Sequence, residues 1–205
     1  MAAVMTLIKR RILGRKGWVF TPKDFLDVGT RAAVDKTLTR LAGQGVIRRL
    51  DRGIYDYPQQ HVTLGNLSPD ADSLATALAT RTGNRLFPSG ATAANLLGLS
   101  TQVPGRVTYM TDGVSRVRKI AGRTITFKHA RTPILSDVPV KVNYTLQALA
   151  YLGKENIDNE IVARCADQLG DLDIKALVGA KTLVAGWIAD TITRIEKVKH
   201  GHIRA

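Results

Sequence analysis

The side chains with the clearest chemistry in this 205-residue chain are cationic, and they come in two spacings. Ala32, Ala33, Lys36, Thr39 and Arg40, with Arg31 ahead of them, recur at helical intervals on one arc of a segment whose opposite arc carries Val34, Leu38 and Leu41. A small, basic helix face suits a DNA major groove. Alanine and threonine permit close approach, while lysine and arginine reach base-edge acceptors and phosphates. Thr30, immediately before, is a natural N-cap for that helix. Further on, Arg48, Arg49 and Arg52 lie along two short apolar runs, Val46–Leu50 and Ile54–Tyr57, separated by an Asp51-Arg52-Gly53 turn. That pattern reads as a β-hairpin whose arginines can touch phosphates or a minor groove. Arg31 and Asp35 stand one helical turn apart and are expected to pair, which would make Arg31 an orienting rather than a reading residue.

Residues for covalent or metal chemistry are scarce. Cys165 is the single cysteine and sits among Ile161, Val162 and Leu169, where it reads as a small buried hydrophobe. One cysteine excludes an internal disulfide framework and fits a reducing compartment. Gly179-Ala180-Lys181-Thr182 has the end of a phosphate loop but lacks the glycine before the lysine and the first glycine at its spacing, so it reads as a helix break. His61, His129, His200 and His202 show no ligand spacing. Asp70 and Asp72 belong to a first helical turn, and Ser89 to a cap. No catalytic residue, metal or cofactor is expected.

The charge has a sign. Thirty Lys and Arg against 17 Asp and Glu leave +13, in a chain 44% hydrophobic and 23% charged, which can bury a core and points to a polyanionic partner. The first sixty residues carry twelve of those cations and five of the acids, more than half of the excess in under a third of the chain. Within them, Lys9, Arg10, Arg11, Arg15 and Lys16 fit nonspecific phosphate attraction. A second basic stretch, Arg116, Arg118, Lys119 and Arg123, could meet DNA, meet an acidic protein surface, or face water. Met1 to Gly17 has no long apolar core, and no run of about 18 uncharged apolar residues occurs. A cytoplasmic protein without membrane contact is expected.

The elements that must position these groups follow from periodicity and punctuation. A helix is expected over Ala3–Leu13, a short strand at Trp18-Val19-Phe20, and a second short helix capped by Thr21 with Pro22 at its first position and ending at Gly29. The third, basic helix runs from Arg31 to Ala42 and stops at Gly43-Gln44-Gly45. Trp18, Tyr55 and Tyr57 read as packing residues. Ser68 and Pro69 start a helix through Ala79, and Ser89 caps one through Leu97. Val107–Thr111 and Thr124–Phe127 have strand composition, with the basic stretch between them as hairpin or loop. Helices near 144–153, 158–169, 171–178 and 182–199 close the chain, with Trp187 expected in the core of the last. The fold class is mixed α/β and helix-rich. An N-terminal winged helix-turn-helix covers 1–60. A larger domain covers 61–205, α/β to about 140 and a helical bundle from 141.

The segments Gly29–Leu41 and Gly45–Pro58 resemble the winged-helix region of AbiEi-type antitoxins, and more closely a bacterial family often encoded beside AbiEii-type toxins. The similarity continues through Ser89-Gly90-Ala91-Thr92-Ala93-Ala94-Asn95-Leu96-Leu97-Gly98-Leu99. It reappears from Leu146-Gln147-Ala148-Leu149 to Gly186-Trp187-Ile188, so it covers nearly the whole chain. The resemblance implies an autoregulatory repressor that binds double-stranded DNA at its own operator. It also implies an antitoxin that neutralises a co-encoded nucleotidyltransferase-like toxin. Two alternatives stay open: a stand-alone winged-helix regulator, and an antitoxin that covalently modifies its toxin.

Overall fold

The computed structural model describes residues 2–102 and 107–201, and the expected residue His202 lies outside them. The fold is mixed α/β, about half of it helical, with eight α-helices among the described residues. The chain forms two compact units. One comprises the residues up to Arg85 together with Val117–Ile125; the other comprises Leu86–Arg116 and the residues from Thr126 onward.

The first unit opens with α1 (Ala2–Leu13), followed by β1 (Val19–Phe20). Thr21 then starts a single 3-10 turn, Pro22–Phe25, through a reciprocal capping box. Its backbone N–H donates to Asp24 Oδ2 at 2.7 Å, while Thr21 Oγ1 accepts from the Lys23 N–H at 3.2 Å. The helix expected to reach Gly29 is therefore one tight turn. Phe25 is buried and seals it against Phe20, whose ring it meets edge-on at 5.4 Å.

Helix α2 (Arg31–Gly43) follows as expected, with Thr30 Oγ1 accepting from the Ala33 N–H and Val34, Thr37, Leu38 and Leu41 buried. Gly45, at φ +71°, turns the chain out of it. Strands β2 (Arg48–Asp51) and β3 (Ile54–Asp56) form an antiparallel hairpin with a register break between Arg49 and Asp51, and β1 pairs with β3 on the other side. Ile8, Ile12, Phe20, Phe25, Val34, Leu38, Leu41, Ile47 and Tyr55 make one core, with Trp18 and Tyr57 packed at its margin.

A small hairpin, β4 (Gln60–His61) and β5 (Gly65–Asn66), was not foreseen, because two-residue strands leave no period to read. Helix α3 (Ala71–Thr82) is capped by Asp70, which accepts from the Ser73 N–H at 2.8 Å, and not by Ser68. The expected boundary at residue 60 falls inside this unit, since α3 packs on β1 and β3.

The second unit contains β6 (Leu86–Pro88), α4 (Gly90–Leu96) and β7 (Thr108–Thr111). The basic stretch is a hairpin, β8 (Arg116–Ile120) and β9 (Arg123–His129), turned at Ala121-Gly122; its tip, Val117–Ile125, counts with the first unit. Strand β6 was also missed by the sequence reading. It pairs antiparallel with β7, and β7 pairs parallel with β9.

Helices α5 (Val140–Leu152), α6 (Asn159–Gln168), α7 (Asp171–Gly179) and α8 (Gly186–Lys199) complete the unit. They bury Leu146, Leu149, Val162, Leu177, Ile192 and Ile195 in one core with Ala93 and Ala94 of α4. Asn143, itself buried, accepts from the Leu135 N–H at 2.8 Å and donates to the Leu135 carbonyl at 3.0 Å, pinning the incoming loop to α5. The last expected helix is divided into a 3-10 turn, Lys181–Leu183, and α8. Trp187, expected in the interior, is only partly buried beside the core, because it opens α8 where the stripe of Ile188, Ile192 and Ile195 takes the inner side. No helix among the described residues is long and apolar enough to cross a membrane.

Candidate nucleic-acid interface

Helix α2 buries Val34, Thr37, Leu38 and Leu41, and at about 100° per residue this leaves the arc of Arg31, Ala32, Lys36, Thr39 and Arg40 outward; all five are exposed. The Thr37 hydroxyl is retired from the outer face by donating to the Ala33 carbonyl at 2.8 Å. Arg31 pairs with Asp35 through Nε at 2.9 Å, as its spacing required. Lys36 and Arg40 make no ion pair among the described residues, so that face keeps its positive charge.

The hairpin arginines divide. Arg49 and Arg52 are exposed. Arg48 is turned inward: its guanidinium grips Asp56 through Nε at 3.0 Å and Nη2 at 2.6 Å, and donates to the Leu67 carbonyl at 2.7 Å. Asp56 is 1% exposed, and a carboxylate that deep needs a partner, which is what draws Arg48 inward. Arg48 and Asp56 are also direct partners in the β2–β3 register. The Asp56 side-chain bond holds Arg48 above the ordinary arginine range despite its desolvation.

Five cations converge around a cavity of about 470 Å³ in this unit: Lys23 from the 3-10 turn, Arg31 from α2, Arg52 from the hairpin turn, Arg81 from α3 and Arg118 from the β8 tip. Asp51 is the one acid among its lining residues. Arg81 donates to Asp51 at 3.1 Å and to the Arg52 carbonyl at 2.8 Å, and Arg118 lies 3.5 Å from the same carboxylate. Burial pushes the Asp51 carboxyl up, but the Arg52 N–H, the Arg81 guanidinium and the Arg118 charge outweigh it and hold the group below the ordinary value. Asp51 thus clamps two arginines and leaves the cavity with excess positive charge, an arrangement whose chemistry suits an anionic oxygen.

The second basic stretch splits the same way. Arg118 joins this cavity, and Lys119 faces solvent. Arg123 donates to the Pro69 carbonyl at 2.7 Å, while Arg116 lies 5.0 Å over the Phe127 ring. On α1, Arg11 is held by Asp27 and the Asp24 carbonyl, and Arg15 lies over the Trp18 ring, whereas Lys9 and Arg10 are exposed. No group of three His, Cys, Asp or Glu among the described residues could hold a metal.

A family model described as a family of unknown function, DUF6088, matches residues 6–177, more than four-fifths of the chain. The chain belongs to DUF6088. A search of curated proteins finds no match. The matched span of this DUF6088 member contains every residue of the α2 face, the hairpin and the cationic cavity. Two of the cavity's cations, Lys23 and Arg81, escaped the sequence reading. Lys23 follows a cap-proline pair and Arg81 ends an ordinary helix, and nothing in their local spacing tells that the fold brings them to Arg31 and Arg52.

Proposed function

We propose that this chain binds double-stranded DNA as a winged helix-turn-helix, with α2 in the major groove and the β2–β3 hairpin as the wing. The observation that carries the reading is the exposed α2 arc of Ala32, Lys36, Thr39 and Arg40, flanked in the same unit by Arg49, Arg52 and the cationic cavity. Lys36 and Arg40 stand one turn apart and would read base edges; Arg49, Arg52 and the cavity would hold the backbone. The 3-10 turn before α2 serves as the short preceding helix. On its resemblance to AbiEi-type antitoxins, the same chain would repress its own operon and neutralise a co-encoded nucleotidyltransferase-like toxin, acting by binding and not as an enzyme.

The test is binding of the wild-type chain to its own promoter fragment and to a scrambled duplex at several salt concentrations. Four to six phosphate contacts give a log–log salt slope of roughly −4 to −5. Lys36→Ala and Arg40→Ala each lose ~1–3 kcal/mol on the promoter and little on the scrambled duplex. Arg52→Ala weakens both alike and lowers the slope by about one. A wild-type chain without salt-dependent DNA binding, or a Lys36/Arg40 double variant that still discriminates, overturns the proposal. Growth rescue on co-expression with the product of the neighbouring gene tests the antitoxin half separately.

A further inference from the structure

The second unit contains a cavity of about 520 Å³, in the size range of small-molecule sites, that the DNA reading does not use. One wall is a sheet face. Along β7, Tyr109 and Thr111 are buried while Thr108 and Met110 turn the other way, into the cavity. The parallel register sets Met110 directly beside Lys128 of β9 on that face. The opposite wall is one face of α5, where Gln147, Ala150 and Tyr151 stand at helical spacing.

Gly90 lets this crevice close at its end. A Cβ there would collide with the Cβ of Tyr151 and come within 2.8 Å of the Gln147 carbonyl, so only glycine permits α4 to lie so near α5.

The lining is ordered by polarity. Met110, Ala150 and the Tyr151 side chain are apolar surface. Gln147 is 3% exposed and its amide is fixed by donation from Nε2 to the Thr132 carbonyl at 3.3 Å, so an oriented amide edge lies beside them. Lys128 and Arg131, both exposed, complete the lining with their positive charge, and no lining residue is acidic. His129, in register with the buried Thr111, turns to the other face of the sheet, where its Nδ1 donates to the Gly113 carbonyl at 2.9 Å.

We infer that this crevice binds a mononucleotide, its base against Met110 and Tyr151 with the Gln147 amide at its edge, and its phosphates on Lys128 and Arg131. An apolar slot, one fixed amide and a cationic lining without a carboxylate match a flat heterocycle carrying an anionic tail. Simple phosphate would leave the slot unfilled, and an apolar ligand would leave the cations unused. The inference does not rest on the DNA reading, which concerns the other unit.

The probes are ATP, GTP, CTP and UTP, titrated calorimetrically into the full chain, with tripolyphosphate and adenosine as separate arms. At least one nucleotide binds in the micromolar range, about tenfold or more tighter than tripolyphosphate or adenosine. Binding persists when saturating duplex is present. Lys128→Ala and Arg131→Ala, at exposed positions, each weaken it about tenfold, the loss expected for one charged hydrogen bond. Ala150→Phe, which fills the slot, abolishes it while circular dichroism remains native. If Ala150→Phe misfolds, the two cation variants decide. The inference is overturned if no nucleotide binds through the millimolar range, if tripolyphosphate binds as tightly as the best nucleotide, if duplex displaces the nucleotide, or if the cation variants bind unchanged.

Discussion

Gly90→Ala sets two effects of opposite sign against each other. Alanine is a better helix former than glycine by up to ~1 kcal/mol, and Gly90 is the first residue of α4, with a backbone that any residue can adopt. Its new Cβ, however, would overlap the Tyr151 Cβ and stand 2.8 Å from the Gln147 carbonyl oxygen. Neither obstacle is the far end of a flexible side chain; one is backbone and the other the root of a side chain on α5. Relief requires α4 and α5 to separate, and they share the core of Ala93, Ala94, Leu146 and Leu149. Overpacking of this kind costs ~1–3 kcal/mol, so after the helix gain a net loss of ~1–2 kcal/mol is expected. For a domain of about 110 residues that lowers the melting temperature by roughly 5–10 °C.

Trp187 is the one tryptophan of the second unit and Trp18 that of the first, so fluorescence in a Trp18→Phe background follows the affected unit alone. The control is Gly179→Ala at the end of α7, where a Cβ meets nothing within 4 Å and the result is neutral or slightly stabilising. If Gly90→Ala proves as stable as Gly179→Ala, the close approach of α4 and α5 described above is wrong.

Asp56→Ala strands the Arg48 guanidinium and costs ~3 kcal/mol in urea denaturation, at the lower end for a broken buried pair because Arg48 is 34% exposed; a loss below ~1 kcal/mol would show the pair to be incidental. The Ser73 N–H, with the Ser73 hydroxyl, holds the Asp70 carboxyl below its ordinary value, so the cap's contribution is full above the unfolded-state pKa and is lost as pH falls through the depressed one. Asp70→Ala therefore loses ~1 kcal/mol at pH 7, and the gap to wild type closes below about pH 3.9 in acid-denaturation curves; a constant gap across that range contradicts the assignment. Burial pushes the Cys165 thiol up to about 12, and the residue is 1% exposed. Maleimide at pH 8 leaves it unlabelled in the native chain and labels it fully in urea, and rapid native labelling would refute its burial.

What the sequence disclosed and what it hid divide along a physical line. Helix α2, its cap at Thr30, its buried stripe and the Arg31–Asp35 pair all depend on neighbours within four residues, where spacing is sufficient information. The β2–β3 hairpin was legible for the same reason. The pairing of Arg48 with Asp56 was hidden because Asp56 looks like an ordinary polar strand end until β1 closes over β3 and buries it. Strand β6 and its pairing with β7 join segments about twenty residues apart, and three residues ending in proline carry no strand period. Lys23, Arg81 and Arg118 come to one cavity from positions spread over nearly a hundred residues. No local pattern encodes that meeting.

The first unit is not a continuous stretch of chain: it takes its last piece, Val117–Ile125, from beyond the segment Leu86–Arg116 of the second. That piece brings Arg118 to Asp51 and Arg123 to the Pro69 carbonyl, and it buries Ile120 and Ile125. On the ribosome, the N-terminal residues therefore wait for their final partners while residues 86–125 are made, roughly 2–8 s at ordinary elongation rates. During that interval Asp51 has the Arg52 N–H and Arg81 but not Arg118, and the cationic cavity lacks one wall. A nascent chain stalled before residue 117 would carry an unfinished version of the surface proposed to hold DNA, so the capacity to bind would emerge only once Val117–Ile125 had been synthesised.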